Sequence, residues 1–246
     1  MTPLERHGID HLSAGSLNLW IANPREWALR YLAGEREEAD AGMWRGSAIE
    51  AGLARVLRGA SPQEARTAAL DSFELNALGD LSEEVEAERK LLIPMIDRAA
   101  TWAAPGDLVA TQLRIEYRFE EIPVPLVGYL DFAFLTGIDV DLKTGRVCPS
   151  HPRGHHVRQV ALYRAARKRR GGLLYVTCKR LAYFEIDDQA AGTALDDLRD
   201  GALSLVQFLD KVWDAEEALA CLPYNPDDFR TTPKLKEPIG SDVLTG

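Results

Sequence analysis

The chain has 246 residues, 46% of them hydrophobic and 27% charged, proportions that suit a folded core and exclude a low-complexity, collagen-like or wholly disordered chain. Its longest apolar run, Ile122 to Leu130, is interrupted by Pro123 and Pro125 and falls far short of the roughly 20 residues that span a bilayer. No basic-then-apolar start is visible and the three cysteines, Cys148, Cys178 and Cys221, are scattered, so the expectation is a cytoplasmic protein with incidental thiols and no membrane partner.

In chain order, the first half reads as helix. Asn23-Pro24 is a cap followed by proline at the first helical position, opening a helix to about Leu32. Between Met43 and Arg58, Ile49, Leu53, Val56 and Leu57 recur on one face. Ser61-Pro62-Gln63-Glu64 is a capping box for a third helix. Ser82, ahead of Glu83 and Glu84, caps a fourth that runs to about Ala103 and stops at Pro105-Gly106. The period then changes to that of strands. Residues 109–120 place Leu113, Ile115, Tyr117 and Phe119 on one face. Residues 124–135 form a second strand after a turn around Glu120 to Pro123, and Ile138 to Lys143 a third. Helix returns over 153–170, followed by strands at Leu173 to Cys178 and Leu181 to Ile186, and Asp188 to Leu219 closes as a helix or helix pair. No internal repeat and no long linker interrupts this order. It predicts an α/β or α+β domain with a central mixed sheet, flanking helices and a helical N-terminal elaboration.

A net charge of −9 argues at first against a nucleic-acid partner, but the distribution reverses that. From Lys143 to Arg180 there are eleven Lys or Arg and no Asp or Glu, leaving 18 of the 29 basic residues against all 38 acidic ones elsewhere. An ordinary exposed helix interleaves counter-charges. Without them, Arg146, Arg153, Arg158, Arg164, Arg167, Lys168 and Arg169 read as a face that binds a polyanion.

The chemistry concentrates in Gly128-Tyr129-Leu130-Asp131 and Asp139-Val140-Asp141-Leu142-Lys143-Thr144. Strand alternation aims Asp141 and Lys143 at one face, and Asp131 can lie opposite Asp141 if the strands form a hairpin. Neighbouring carboxylates repel unless a cation sits between them, which suits Mg²⁺ or Mn²⁺. A lysine beside that cation could hold a phosphate, stabilise a transition state or orient water. The alternative is a charged hairpin end with a surface ion pair. Glu50, in an otherwise apolar helix and four residues after Gly46, is either a third oxygen ligand or a helix-flank glutamate. Gln159 and Tyr163 share a helix face and either position a lysine, water or phosphate or simply pack. Glu116 lines the cleft or pairs with Arg114 or Arg118, and His151, His155 and His156 could touch metal, phosphate or DNA.

As an ordered set these motifs resemble the PD-(D/E)XK nuclease superfamily, in particular its RecB-type and phage recombination exonuclease branch. Leu12-Ser13-Ala14-Gly15-Ser16-Leu17 with Asn23-Pro24-Arg25-Glu26-Trp27 is similar to that branch's N-terminal Ser-rich helix entry. Arg45-Gly46 to Glu50 resembles its helical acidic motif, Gly128 to Asp131 with Asp141-Leu142-Lys143-Thr144-Gly145 its central pair, and Gln159-x-x-x-Tyr163 its QxxxY motif. The resemblance implies a restriction-endonuclease-like core and a single nuclease domain over 1–246, mainly helical over 1–105, with the core at 106–220 and an irregular tail at 221–246. It implies a Mg²⁺-dependent DNA exonuclease, Mn²⁺ substituting, in phage or prophage recombination or DNA end processing. An endonuclease, or an idle nucleic-acid-binding or scaffolding module, is the alternative. Glu50, Asp131, Asp141 and the Leu142 carbonyl would hold metal, Lys143 would be the catalytic lysine, and Gln159 and Tyr163 would support the site or touch DNA. A phage single-strand annealing or recombinase protein and a homo-oligomer are the partners it suggests. Many relatives hold an iron–sulfur cluster on four cysteines. Asn23 stands at the N-terminal ligand position and the chain has three cysteines in total, so no cluster within one chain is expected.

Overall fold

Hydroxyl, carboxylate and amide side chains start most of the helices. The structure is a computed structural model that describes residues 1–35, 39–102, 104 and 106–223. The expected helix stop at Pro105 and the tail from Tyr224 onward lie outside those residues. Helices α1 (Pro3–Arg6), α2 (Ala14–Ala22), α3 (Pro24–Tyr31), α4 (Ala41–Leu57), α5 (Pro62–Ala77) and α6 (Glu83–Ala99) come first. Thr2, Ser13, Asn23, Asp40, Ser61 and Ser82 each accept a hydrogen bond from a backbone N–H in the first turn of the helix they precede, satisfying a donor the helix itself leaves free. Periodicity did not mark α2, because Leu17, Leu19, Trp20 and Ile21 surround it with apolar residues and blur a one-faced pattern.

The strands are β1 (Leu108–Tyr117), β2 (Leu126–Phe134), β3 (Ile138–Thr144), β4 (Arg170–Val176) and β5 (Leu181–Ile186). Helix α7 (Gly154–Arg167) joins β3 to β4, and α8 (Asp188–Leu209) and α9 (Ala215–Cys221) close the fold. The five strands form one mixed sheet in chain order. β2 and β3 are antiparallel, β3 and β4 parallel, β4 and β5 antiparallel. The parallel step needs the long crossover that α7 supplies. β4 begins earlier than alternation suggests because α7 ends at Lys168, whose left-handed φ of 53° turns the chain straight into Arg170.

Two compact units result. The larger comprises residues 38–117 and 127–197 and holds the sheet apart from its Leu126 end; the smaller takes in residues 1–37, 118–126 and the chain from Leu198. In the larger unit, Ile49, Leu53, Phe73, Leu92 and Ile96 of α4 to α6 pack on Phe132, Phe134, Val140, Leu174 and Val176 of the sheet. Leu173 and Tyr175 alternate to the opposite face and meet Val160 and Ala161 of α7. Both faces of β4 are therefore covered, which explains its unbroken apolar run. In the smaller unit Trp20 donates to Ser204 Oγ at 2.8 Å and Trp27 stacks on Tyr31. Among the described residues no helix is long and apolar enough to cross a membrane.

Candidate active site

The site is built at the middle of the sheet, within the larger unit. Antiparallel pairing puts Phe132 opposite Val140 and Ala133 opposite Asp139, so one step further along the same register Asp131 faces Asp141. Asp131 Oδ2 accepts the Leu142 backbone N–H at 2.7 Å. Asp141 is 0% exposed, and its Oδ2 lies 2.7 Å from Lys143 Nζ. Its Oδ1 meets no hydrogen-bond donor among the described residues.

Lys143 is held from a second side by α7. Its Nζ donates to Gln159 Oε1 at 2.8 Å, Gln159 Nε2 donates to the Tyr163 hydroxyl at 2.7 Å, and that hydroxyl donates to the Tyr129 carbonyl at 2.7 Å. The i,i+4 spacing of Gln159 and Tyr163 makes this chain of bonds possible. Gly128 makes room for it, because a Cβ there would lie 2.8 Å from Tyr163 Cε1. A methyl at Gly46, by contrast, would make ordinary contact with Thr144. Tyr163 is buried, and burial pushes its phenol pKa up, so it stays a neutral strut under the lysine.

Glu50 reaches the same place from α4, through a residue that the sequence did not single out. Gln112 of β1 donates from Nε2 to Glu50 Oε1 at 2.6 Å and to Asp131 Oδ1 at 3.1 Å. Its φ is +50°, a left-handed value that costs a side-chain-bearing residue about 1–2 kcal/mol. Partial burial along β1 also slips phase there: Leu108 and Ala110 lie inward before it, Leu113 and Ile115 after it. A one-residue slip of this kind is how a β-bulge re-aims a side chain. A polar residue amid Thr111 and Leu113 carries no signal of that in a linear reading.

Electrostatically, the cluster is short of positive charge. Burial pushes Asp131 well above the usual carboxylate range, and the charges of Asp141 and Glu50 add to it. Burial raises Asp141, with Lys143 opposing, and raises Glu50, with the Gln112 hydrogen bond opposing. Burial disfavours the Lys143 charge, yet the Asp141 carboxylate holds its pKa above the ordinary lysine value. Among the described residues no group of three His, Cys, Asp or Glu is arranged to hold a metal ion. The donor chemistry nevertheless fits a hard divalent cation: three carboxylates, one with a buried oxygen lacking any partner.

The basic stretch has counter-charges after all, brought from elsewhere in the chain. Arg158 pairs with Asp197 at 3.0 Å, and Arg164 with Asp188 and the Ile186 carbonyl. Arg167 bonds the buried Asp139 at 2.6 Å, and Arg169 lies 3.9 Å from the same carboxylate. Arg146 pairs at 2.5 Å with Glu88, which Arg45 also holds. Among the described residues neither Arg153 nor Lys168 forms an ion pair with a carboxylate, unlike their neighbours in the stretch. Arg153 lines a cavity of about 280 Å³ with Lys143, Arg146, His156, Tyr175 and Thr177. Burial and the neighbouring charges push the His156 pKa down to about 3. It is therefore neutral beside the Tyr175 hydroxyl, 2.8 Å from its Nδ1. Glu116 pairs with Arg114 at 3.1 Å, and His151 with Ser150.

The sequence matches the profile of the PD-(D/E)XK nuclease superfamily over residues 11–237. No curated protein matches it. Among solved structures, the crystal structure of a "Putative exonuclease" from Eubacterium rectale superposes with a TM-score of 0.61 at 13% identity, covering 82% of each chain. At that identity the likeness is one of fold. The crystal structure of SSO0001 aligns with a TM-score of 0.30 at 21% identity over 37% of this chain and 48% of that one, too little to carry an argument.

Proposed function

The chain belongs to the PD-(D/E)XK nuclease superfamily, and from that premise we propose that it is a divalent-metal-dependent DNA exonuclease that hydrolyses phosphodiester bonds, serving phage or prophage recombination or DNA end processing. The observation that carries the reading is the gathering of Glu50, Asp131 and Asp141 around a lysine whose charge is secured by Asp141 and aimed by Gln159. Glu50, Asp131 and Asp141, with the Leu142 carbonyl, would hold the ion. A bound Mg²⁺ supplies charge neutralisation of the phosphate and acidifies a coordinated water.

The side chains divide the remaining work. Lys143 donates to a phosphoryl oxygen as negative charge builds on it, and its ammonium needs no reorganisation because Gln159 and Asp141 already hold it. Tyr163 keeps Gln159 turned with its oxygen toward the lysine. Arg153, in the cavity beside Lys143, holds a phosphate of the strand. His156, neutral there, adds no charge of its own, so the cationic character of the cavity comes from Lys143, Arg146 and Arg153.

End-labelled linear duplex, covalently closed circles and single strands, each with Mg²⁺, Mn²⁺ or chelator, test this. The expected result is loss of linear DNA with circles spared, abolished by chelator. Cutting of circles would make the enzyme an endonuclease with the same chemistry, and no cleavage with any metal would leave a binding module. Lys143→Ala should lower turnover by roughly 10²-fold, as expected for one transition-state donor, with DNA binding retained.

A further inference from the structure

Gln112 is placed by a strained backbone, and the placement has a use. A left-handed φ in a strand is not a conformation glutamine prefers, and here it coincides with the slip in burial phase that turns the side chain toward the acidic cluster. The result is one nitrogen within hydrogen-bond distance of two carboxylates, Glu50 at 2.6 Å and Asp131 at 3.1 Å. The amide's two N–H hydrogens, which carry its partial positive charge, thus face two carboxylates that a divalent cation would otherwise satisfy. A lysine or arginine in its place would make a permanent ion pair and keep a metal out. A neutral amide makes weaker bonds, and Gln112 is exposed, so nothing packed over it prevents it from swinging away.

We propose that the Gln112 amide is the metal-free protein's stand-in for the divalent cation, bridging Glu50 and Asp131 until an ion displaces it. Gln112 is thus a positioning residue that lowers metal affinity while its hydrogen bonds hold Glu50 and Asp131 side by side. The inference rests on the reading that Glu50 and Asp131 take a divalent ion. It says, beyond that reading, which residue competes for their oxygens and that metal loading includes a side-chain exchange.

The test titrates the full-length protein with Mn²⁺ by calorimetry without DNA, and with Mg²⁺ while following glutamine side-chain amide resonances. In the wild type, the amide pair assigned to Gln112 by its absence from Gln112→Ala should move on saturation with Mg²⁺. Gln112→Ala should bind Mn²⁺ at least 3-fold more tightly. Gln112→Asn tolerates the left-handed backbone but is one methylene too short to bridge, and it should tighten binding likewise. This second variant separates lost bridging from any misfolding of the alanine protein. Unchanged or weaker Mn²⁺ binding in a folded variant, or a Gln112 amide pair that ignores Mg²⁺, would overturn the stand-in role and leave the metal reading intact. A wild type that binds neither ion would overturn both.

Discussion

Asp131 is a carboxylate placed where its own charge is costly. Burial and the charges of Asp141 and Glu50 raise its pKa well above the ordinary value, so the folded protein binds that proton more tightly than the unfolded chain does. The site therefore contributes stability at low pH. That contribution is lost as pH rises from the unfolded carboxylate value through the raised one, because in that window the folded state holds more protons than the unfolded state. Above the window, ionised Asp131 is a standing cost that a cation would relieve. Asp131→Asn keeps an acceptor for the Leu142 N–H while removing the charge. Its Tm in chelator at pH 8 should exceed that of the wild type by a few degrees, since about 1 kcal/mol moves a chain of this size by roughly 2–4 °C. Near pH 4 the two should melt together. A variant that melts at or below the wild type at pH 8 would show that Asp131 stabilises the metal-free fold.

At the scale of one element, α7 does two jobs with one kind of residue. Its outer end, Arg164 to Arg167, is tied by carboxylates that α8 and β3 supply; its start, at Arg153, opens on the cavity beside Lys143. Equal arginines in the sequence thus have unequal consequences. Arg167→Ala leaves Asp139, 2% exposed, without its closest partner and should destabilise the fold by roughly 3 kcal/mol. The salt dependence of DNA binding should not change. Arg153→Ala should leave the Tm alone and reduce the slope of log K against log salt by about 1, the loss of one phosphate contact. Melting curves and binding isotherms between 50 and 200 mM salt check both. If the slope falls with Arg167 and not with Arg153, the DNA lies along the other end of the helix.

For the whole molecule, the negative total and the concentrated basic stretch are reconciled by folding: the surplus acids are partly spent on the arginines. The thiols have no such collective role. Cys148 is buried, Cys178 half-buried and Cys221 exposed, all of them free, and Asn23 is occupied as the cap of α3, accepting the Glu26 N–H at 3.1 Å. Three cysteines cannot supply four thiolates, so anaerobically purified protein should be colourless and free of stoichiometric iron and acid-labile sulfide. Finding both would require ligands shared between chains.

What the amino-acid order determined by itself is whatever acts within about four residues. Ser61, Ser82 and Asn23 cap the helices after them because a side chain reaches the N–H three positions on. Alternation located β1 and apolar runs the strands after it, to within a few residues, and parity put Asp141 and Lys143 on one face, leaving the Asp131 pairing to a short turn between β2 and β3. Tertiary structure decided the rest, because the deciding energies lie between distant segments. Gln112 meets Glu50 across 62 positions and Asp131 across 19, from a left-handed backbone position that the surrounding sheet must hold in place. Arg158 and Arg167 find their carboxylates 39 and 28 positions away, so a run without local counter-charge became a set of ion pairs. Local hydrogen bonds can be read from neighbours; desolvation and charge balance depend on which surfaces folding brings together, and those fix how the acidic cluster and its lysine are charged.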